Sequence, residues 1–174
     1  FDHLSYDRTH FAQQIEENIQ NLETEAVHQL REGDWVGQIR SAQKSDRILS
    51  NDLLSQIERL GQQPFTIYLY QNDSLIFWSK PGPIVDPTHR DFINIPCVIG
   101  DHRQDHYVKK TEIADGQELL QVYFKIPILP VQEQAYSIGV TPYKFGHPSP
   151  DNAELIRSID GSPIAHIQLL TKEF

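Results

Sequence analysis

Two short polar stretches carry the densest set of groups able to do chemistry: DPTHRD, Asp86 to Asp91, and DHRQDH, Asp101 to His106. His102, Asp105 and His106 bring two imidazoles and a carboxylate close together, a donor set that suits zinc or a similar ion. Their spacing matches no metal motif, and solvated loop histidines are the commoner outcome, so no metal, cofactor or catalytic group is assigned. Arg90 and Arg103 offer a different chemistry, because a guanidinium can hold a small carboxylate through two parallel hydrogen bonds. The sequence contains no G-x-S-x-G, P-loop, G-x-G-x-x-G or H-E-x-x-H motif. The enzymatic alternative is therefore a soluble hydrolase or metal-binding protein using the loop from Asp86 to His106.

The second group with binding potential is aromatic. In YLYQNDSLIFWSK, Tyr68, Tyr70, Phe77 and Trp78 flank a polar break at Asn72-Asp73. Tyr68 and Tyr70 alternate with Phe65, Ile67 and Leu69, so the expected strand is apolar or aromatic on both faces. One face can pack on helices. The other must meet a loop, a partner or a small molecule. An aromatic wall with one cation makes a workable pocket, and the candidate ligand-binding residues are Tyr68, Tyr70, Trp78, Arg90, Tyr107 and Tyr123.

The elements that position these residues can be read in order. Leu4, Phe11, Ile15, Ile19, Leu22, Ala26 and Leu30 form a helical stripe, with Glu16, Glu17, Gln20, Glu23 and Glu25 on the other side. Such a stripe suits packing on the domain's own core or pairing with a second copy as a homodimer. Gly33 stops the helix, a short helix follows to about Ser45, and Ser50 or Asn51 caps a third that Gly61 ends. Beyond Pro64 the period changes to that of strands. Hairpins are expected around Asn72-Asp73, around Asp115-Gly116 (His106 to Ile113 with Glu118 to Ile128) and around Asp160-Gly161 (Glu154 to Ile159 with Pro163 to Leu170). Residues 80–105 read as a long proline-rich loop with one short strand near Ile95 to Ile99, and Pro142 to Asn152 as another loop. Helices first and hairpins afterwards predict an α+β fold on an antiparallel sheet.

The 174 residues suit one domain over 1–174, with a long helix in 1–32 and a helix-plus-sheet body in 46–174. The net charge of -9 and the lack of a basic stripe argue against nucleic acid as a partner. Cys97 is the single cysteine, which excludes an internal disulfide and a cysteine-based zinc cage. There is no methionine and no apolar run of about 18 residues, and the chain opens on Phe1, so it reads as a fragment excised from a longer protein.

The run FTIYLYQNDSLIFWSK resembles the strand, Asn-Asp, Leu-x-Phe-Trp-Ser hairpin of extracytoplasmic (periplasmic) sensor domains of bacterial membrane-bound two-component histidine kinases, the Cache or PAS-like family. The long N-terminal helix, Ile126-Pro127-Ile128 and the closing Ser158 to Gly161 hairpin occur in the matching order; the segment ILPVQEQAYSIG departs from the Asn- and Tyr-rich continuation of that family. The resemblance implies a long N-terminal helix and short helices packed on an antiparallel PAS-like (Cache-like) sheet. It implies a domain that binds an unknown small-molecule ligand, is not itself an enzyme, and sits outside the cytoplasm in a membrane-embedded parent. The first membrane helix would then precede Phe1, and a second would follow Phe174.

Overall fold

A computed structural model of the protein describes residues 2–45, 48–82, 96–101, 104–128, 143–146 and 154–169. Helix α1 (Asp2–Arg31) follows the expected stripe, with Ala12, Ile15, Ile19, Ala26 and Leu30 buried along one side. Its 30 residues make a rod about 45 Å long. Gly33 ends the run with φ +68, a left-handed conformation in which a Cβ would be strained. Helix α2 (Trp35–Ser45) and helix α3 (Asn51–Gly61) follow, and the Ser50 hydroxyl caps α3 by accepting from Leu53 N at 3.2 Å.

Five antiparallel strands come next: β1 (Thr66–Gln71), β2 (Ser74–Trp78), β3 (Cys97–Asp101), β4 (Gln104–Asp115) and β5 (Glu118–Pro127). They lie in the order β2-β1-β5-β4-β3. Asn72 (φ 48) and Asp73 (φ 64) both take the left-handed region between β1 and β2, as a two-residue hairpin turn matched to strand twist requires. Proline and glycine punctuation had put the short third strand near Ile95 to Ile99. It begins two residues later, at Cys97, where pairing with Val108 starts.

A second antiparallel sheet is formed by β6 (Tyr143–Gly146), β7 (Leu155–Arg157) and β8 (Pro163–Leu169), in the order β6-β8-β7. The expected loop from Pro142 to Asn152 therefore contains a strand. Its four residues pair with His166 to Leu169, and that non-local partner outweighs the breaker residues around it. The expected α+β class and antiparallel pairing are what the described residues display.

Buried residues of all three helices, of one face of the larger sheet and of β7 and β8 make one apolar cluster. Trp35 sits within it, tilted against Phe77 with ring centroids 5.3 Å apart, and its indole N–H donates to Gln29 O at 2.9 Å. Side chains of this size each contribute about 1.5–3 kcal/mol when removed from water, so this face supplies most of the hydrophobic stabilisation. Arg40 of α2 is buried beside it at 3% exposure. Its guanidinium reaches the β4–β5 turn, bonding Asp115 Oδ2 at 2.6 Å and pairing with Glu118, and it donates to Gln71 Oε1 at 3.2 Å. That clamp fixes where the long hairpin lies against the helices. No helix among the described residues is long and apolar enough to cross a membrane.

Candidate functional site

Strand alternation gives the larger sheet two different faces. Ile67 and Leu69 of β1, and Leu120, Val122, Phe124 and Ile126 of β5, point to the helices and join the main core. Tyr68 and Tyr70 of β1, Val108 of β4 and Tyr123 of β5 form a second buried cluster, against which Leu75, Cys97 and Ile99 pack. Among the described residues, none from a helix belongs to it. The register explains the grouping: Tyr68 stands opposite Tyr123, Tyr123 opposite Lys110, and Cys97 opposite Val108.

The geometry inside the cluster is specific. The Tyr70 and Tyr123 rings meet edge to face at 80°, with centroids 5.3 Å apart, an arrangement that aligns the positive edge of one ring with the negative face of the other. The Lys110 ammonium stands 5.9 Å from the Tyr123 centroid. Burial pushes the Tyr68 phenol above the ordinary tyrosine value, and the Thr66 hydrogen bond partly offsets it. Burial, followed by the charge of Asp73, raises that of Tyr123. Both phenols are thus neutral at physiological pH and keep their donor protons. Gln121 lies opposite Tyr70, two residues before Tyr123, and its buried Oε1 has no hydrogen-bond partner among the described residues. The face combines flat apolar surface, neutral hydroxyls, one amide, the flanking Lys110 and the buried Lys125, which stands opposite Thr66 and Val108. Such groups suit contact with a small molecule through stacking and hydrogen bonding.

The structure brings Tyr68, Tyr70 and Tyr123 together, with Trp78 at their border, and places Tyr107 on the other face. Trp78 is opposite Tyr68 in register and so borders the same face, but on the edge strand β2 and 49% exposed. Tyr107 is placed elsewhere. It is fully buried on the helix-facing side between its register partners Val98 and Ile126, and is no part of the aromatic cluster. Its phase on β4 is opposite to that of Val108, which decides the matter. Arg90 lies outside the described residues, as do His102 and Arg103. Lys110 and Gln121 were missed in the sequence, although each stands two residues from a member of the cluster and therefore shares its face.

The acidic and basic loop gives less. Asp105 is half-buried, and desolvation raises its carboxyl above the usual value; its backbone oxygen accepts from Ile128 N at 3.0 Å. Among the described residues no three histidine, cysteine, aspartate or glutamate side chains stand together as a metal site would need. An apolar groove of about 290 Å³ runs between α2, α3 and β2, lined by Ile39, Ala42, Leu49, Ile57, Ile76 and Phe77 together with Gln43. The Gln43 amide N–H is spent on Ile76 O at 2.7 Å, so this groove presents little convergent polar chemistry. Comparison of the chain with protein-family models, with curated proteins and with solved structures finds no match.

Proposed function

We propose that the chain is the extracytoplasmic sensing domain of a bacterial transmembrane histidine kinase, PAS-like (Cache-like) in architecture, and that it receives a small molecule on the aromatic face of its larger sheet. The observation that carries this reading is the division of the sheet into a helix-packed face and a separate tyrosine-lined face. The tyrosine face is itself covered, with Tyr68, Tyr70, Val108 and Tyr123 at 2%, 3%, 0% and 4% exposure, so a ligand enters by displacing that cover. Here the second face concentrates tyrosines, an amide oxygen in want of a donor, and Lys110 at its margin. The order of elements, with the aromatic hairpin after a long helix, supports the same reading. The domain itself catalyses nothing; a molecule that binds two arrangements of the sheet with different affinity shifts their populations, and the kinase chemistry resides in another part of the parent.

The test is a thermal-shift screen of amino acids, short carboxylates, amines and aromatic acids against the wild-type chain, followed by calorimetry on Tyr70→Ala and Arg90→Ala. A compound that raises the wild-type melting temperature and binds these variants at least tenfold more weakly, with both variants still folded, supports the reading. Unchanged affinity alongside a large fall in melting temperature would make the tyrosine structural. The full coding sequence gives the second arm: a parent lacking a membrane-spanning segment on either side of the chain overturns the sensor assignment.

A further inference from the structure

Glu23 of α1 is fully buried, an uncommon position for a carboxylate, and among the described residues its side chain bonds to Lys109, Ser158 and Ile159, all outside α1. Lys109 Nζ of β4 pairs with its Oε1; Ser158 Oγ, just past β7, donates to the same oxygen at 2.6 Å; Ile159 N donates to Oε2 at 3.3 Å. Lys109 Nζ also donates to Ser158 Oγ at 3.1 Å and stands 3.7 Å from Asp160 Oδ2. Earlier turns of α1 extend the attachment. Gln20 Nε2 donates to Arg157 O at 3.0 Å, and Glu16 Oε2 accepts from Arg157 N at 2.8 Å. Glu16, Gln20 and Glu23 thus form a polar row along α1 that holds β7 and its turn.

Strand β4 carries this joint to the opposite face of the sheet. Lys109 points to α1, while its neighbours Val108 and Lys110 point to the aromatic face, one inside the tyrosine cluster and the other over the Tyr123 ring. A twist or slide of β4 that accommodates something on the aromatic face must also move the Lys109 ammonium. A buried carboxylate tolerates little of that, because a half-satisfied charge in a low dielectric is worse than one opened to water. We propose that Glu23, Lys109 and Ser158 form a latch with a closed and an opened arrangement, coupled through β4 to the aromatic face, and that opening it frees α1 from the β7–β8 turn. Reading that release as the sensor's output rests on the function proposed above. The coupling itself is a property of this chain and is tested without any ligand.

Cys97 is the reporter, since it is the single cysteine, packs in the tyrosine cluster and stands opposite Val108. Its alkylation by iodoacetamide is followed in wild type, in Glu23→Gln and in the paired variant Glu23→Leu with Lys109→Met, which replaces the buried carboxylate and its partly buried partner ammonium by apolar groups and leaves neither charge alone. Two sites coupled by the usual amount should change each other by about fivefold or more. Alkylation in both variants is expected to accelerate by at least that factor, with a rate independent of low urea concentrations. In the reciprocal experiment, N-ethylmaleimide on Cys97 should speed amide exchange around Glu23 in α1. Rates within twofold of wild type in folded variants overturn the latch. So does acceleration that rises with urea as steeply as global unfolding, because the thiol would then be reporting lost stability. A failed ligand screen bears on the sensor reading and leaves these outcomes intact.

Discussion

Replacing Tyr107 by phenylalanine should stabilise the protein, and the sign separates a structural tyrosine from a binding one. Tyr107 is fully buried against Val98 and Ile126, and its hydroxyl has no hydrogen-bond partner among the described residues. Ser158 is near enough to temper the phenol's shift, but its hydroxyl is already committed to Glu23 and Lys109. Burying an unbonded hydroxyl costs about 1–3 kcal/mol, and deleting one oxygen leaves almost no cavity. Tyr107→Phe should therefore gain about 1 kcal/mol, seen as a higher urea midpoint at unchanged slope and a melting temperature up by about 2–4 °C for a chain of this length. The pH dependence adds a second constraint. Burial first, then the negative charge of Glu23, holds the phenol above the ordinary tyrosine value, so the folded state favours the neutral form. The stability tied to that preference is complete below about pH 10 and declines as the pH rises toward the folded value. Phenylalanine has no such decline, so the advantage of the variant should widen above about pH 10. A variant less stable than wild type by more than about 0.5 kcal/mol, or a gap that narrows at alkaline pH, would refute the account, since the hydroxyl would then have a partner worth keeping.

Arg40→Ala should cost about 2–3 kcal/mol in urea denaturation, below the figure for a fully buried pair because Asp115 and Glu118 are 33% and 45% exposed and regain water. Arg40→Lys should recover only part of this, because one ammonium cannot span Asp115, Glu118 and Gln71 as the guanidinium does. A loss under about 0.5 kcal/mol for the alanine variant would make the clamp an ordinary surface pair. At acid pH, the Ser162 hydroxyl and backbone N–H bonds to Asp160 lower its carboxyl from 3.8 to about 2. The stabilisation it contributes is present above the unfolded value and is lost as the pH falls through the folded one. Carboxyl NMR should place the Asp160 midpoint near 2 in wild type and closer to 3.8 in Ser162→Ala; a wild-type midpoint near 3.8 would refute the assignment.

Much of the fold was legible because its punctuation is local. Gly33, Ser50, Asn72-Asp73 and the Asp-Gly pairs act through their own backbone preferences, so the helix ends and the three expected hairpins can be placed from a few neighbouring residues. Strand β6 depends on pairing with β8, information that no window around Tyr143 contains. Tyr107 was misplaced for a related reason. Alternation says that Tyr107 and Val108 face opposite ways, but on a strand buried on both sides it cannot say which way the helices lie. The acidic row of α1 was legible only as the side opposite the apolar stripe, and glutamate and glutamine are usually exposed. Its spacing, Glu16, Gln20 and Glu23, was visible; that β7 and its turn would supply the backbone partners was not.

The arrangement of charges clarifies why the two faces can serve different ends. On the helix side, apolar packing is reinforced by two buried ionic anchors, Arg40 at the β4–β5 turn and Glu23 at the β7–β8 turn, each tying a helix to a hairpin. Such anchors need their partners held in place, so they specify one geometry more than they add stability. On the other side, the tyrosine cluster relies on ring contacts that tolerate small displacements. A sheet built this way can exchange contacts on the tyrosine face while the helix face keeps the fold. Lys109, on the strand that serves both faces, is placed to link a change on one to the carboxylate buried in the other.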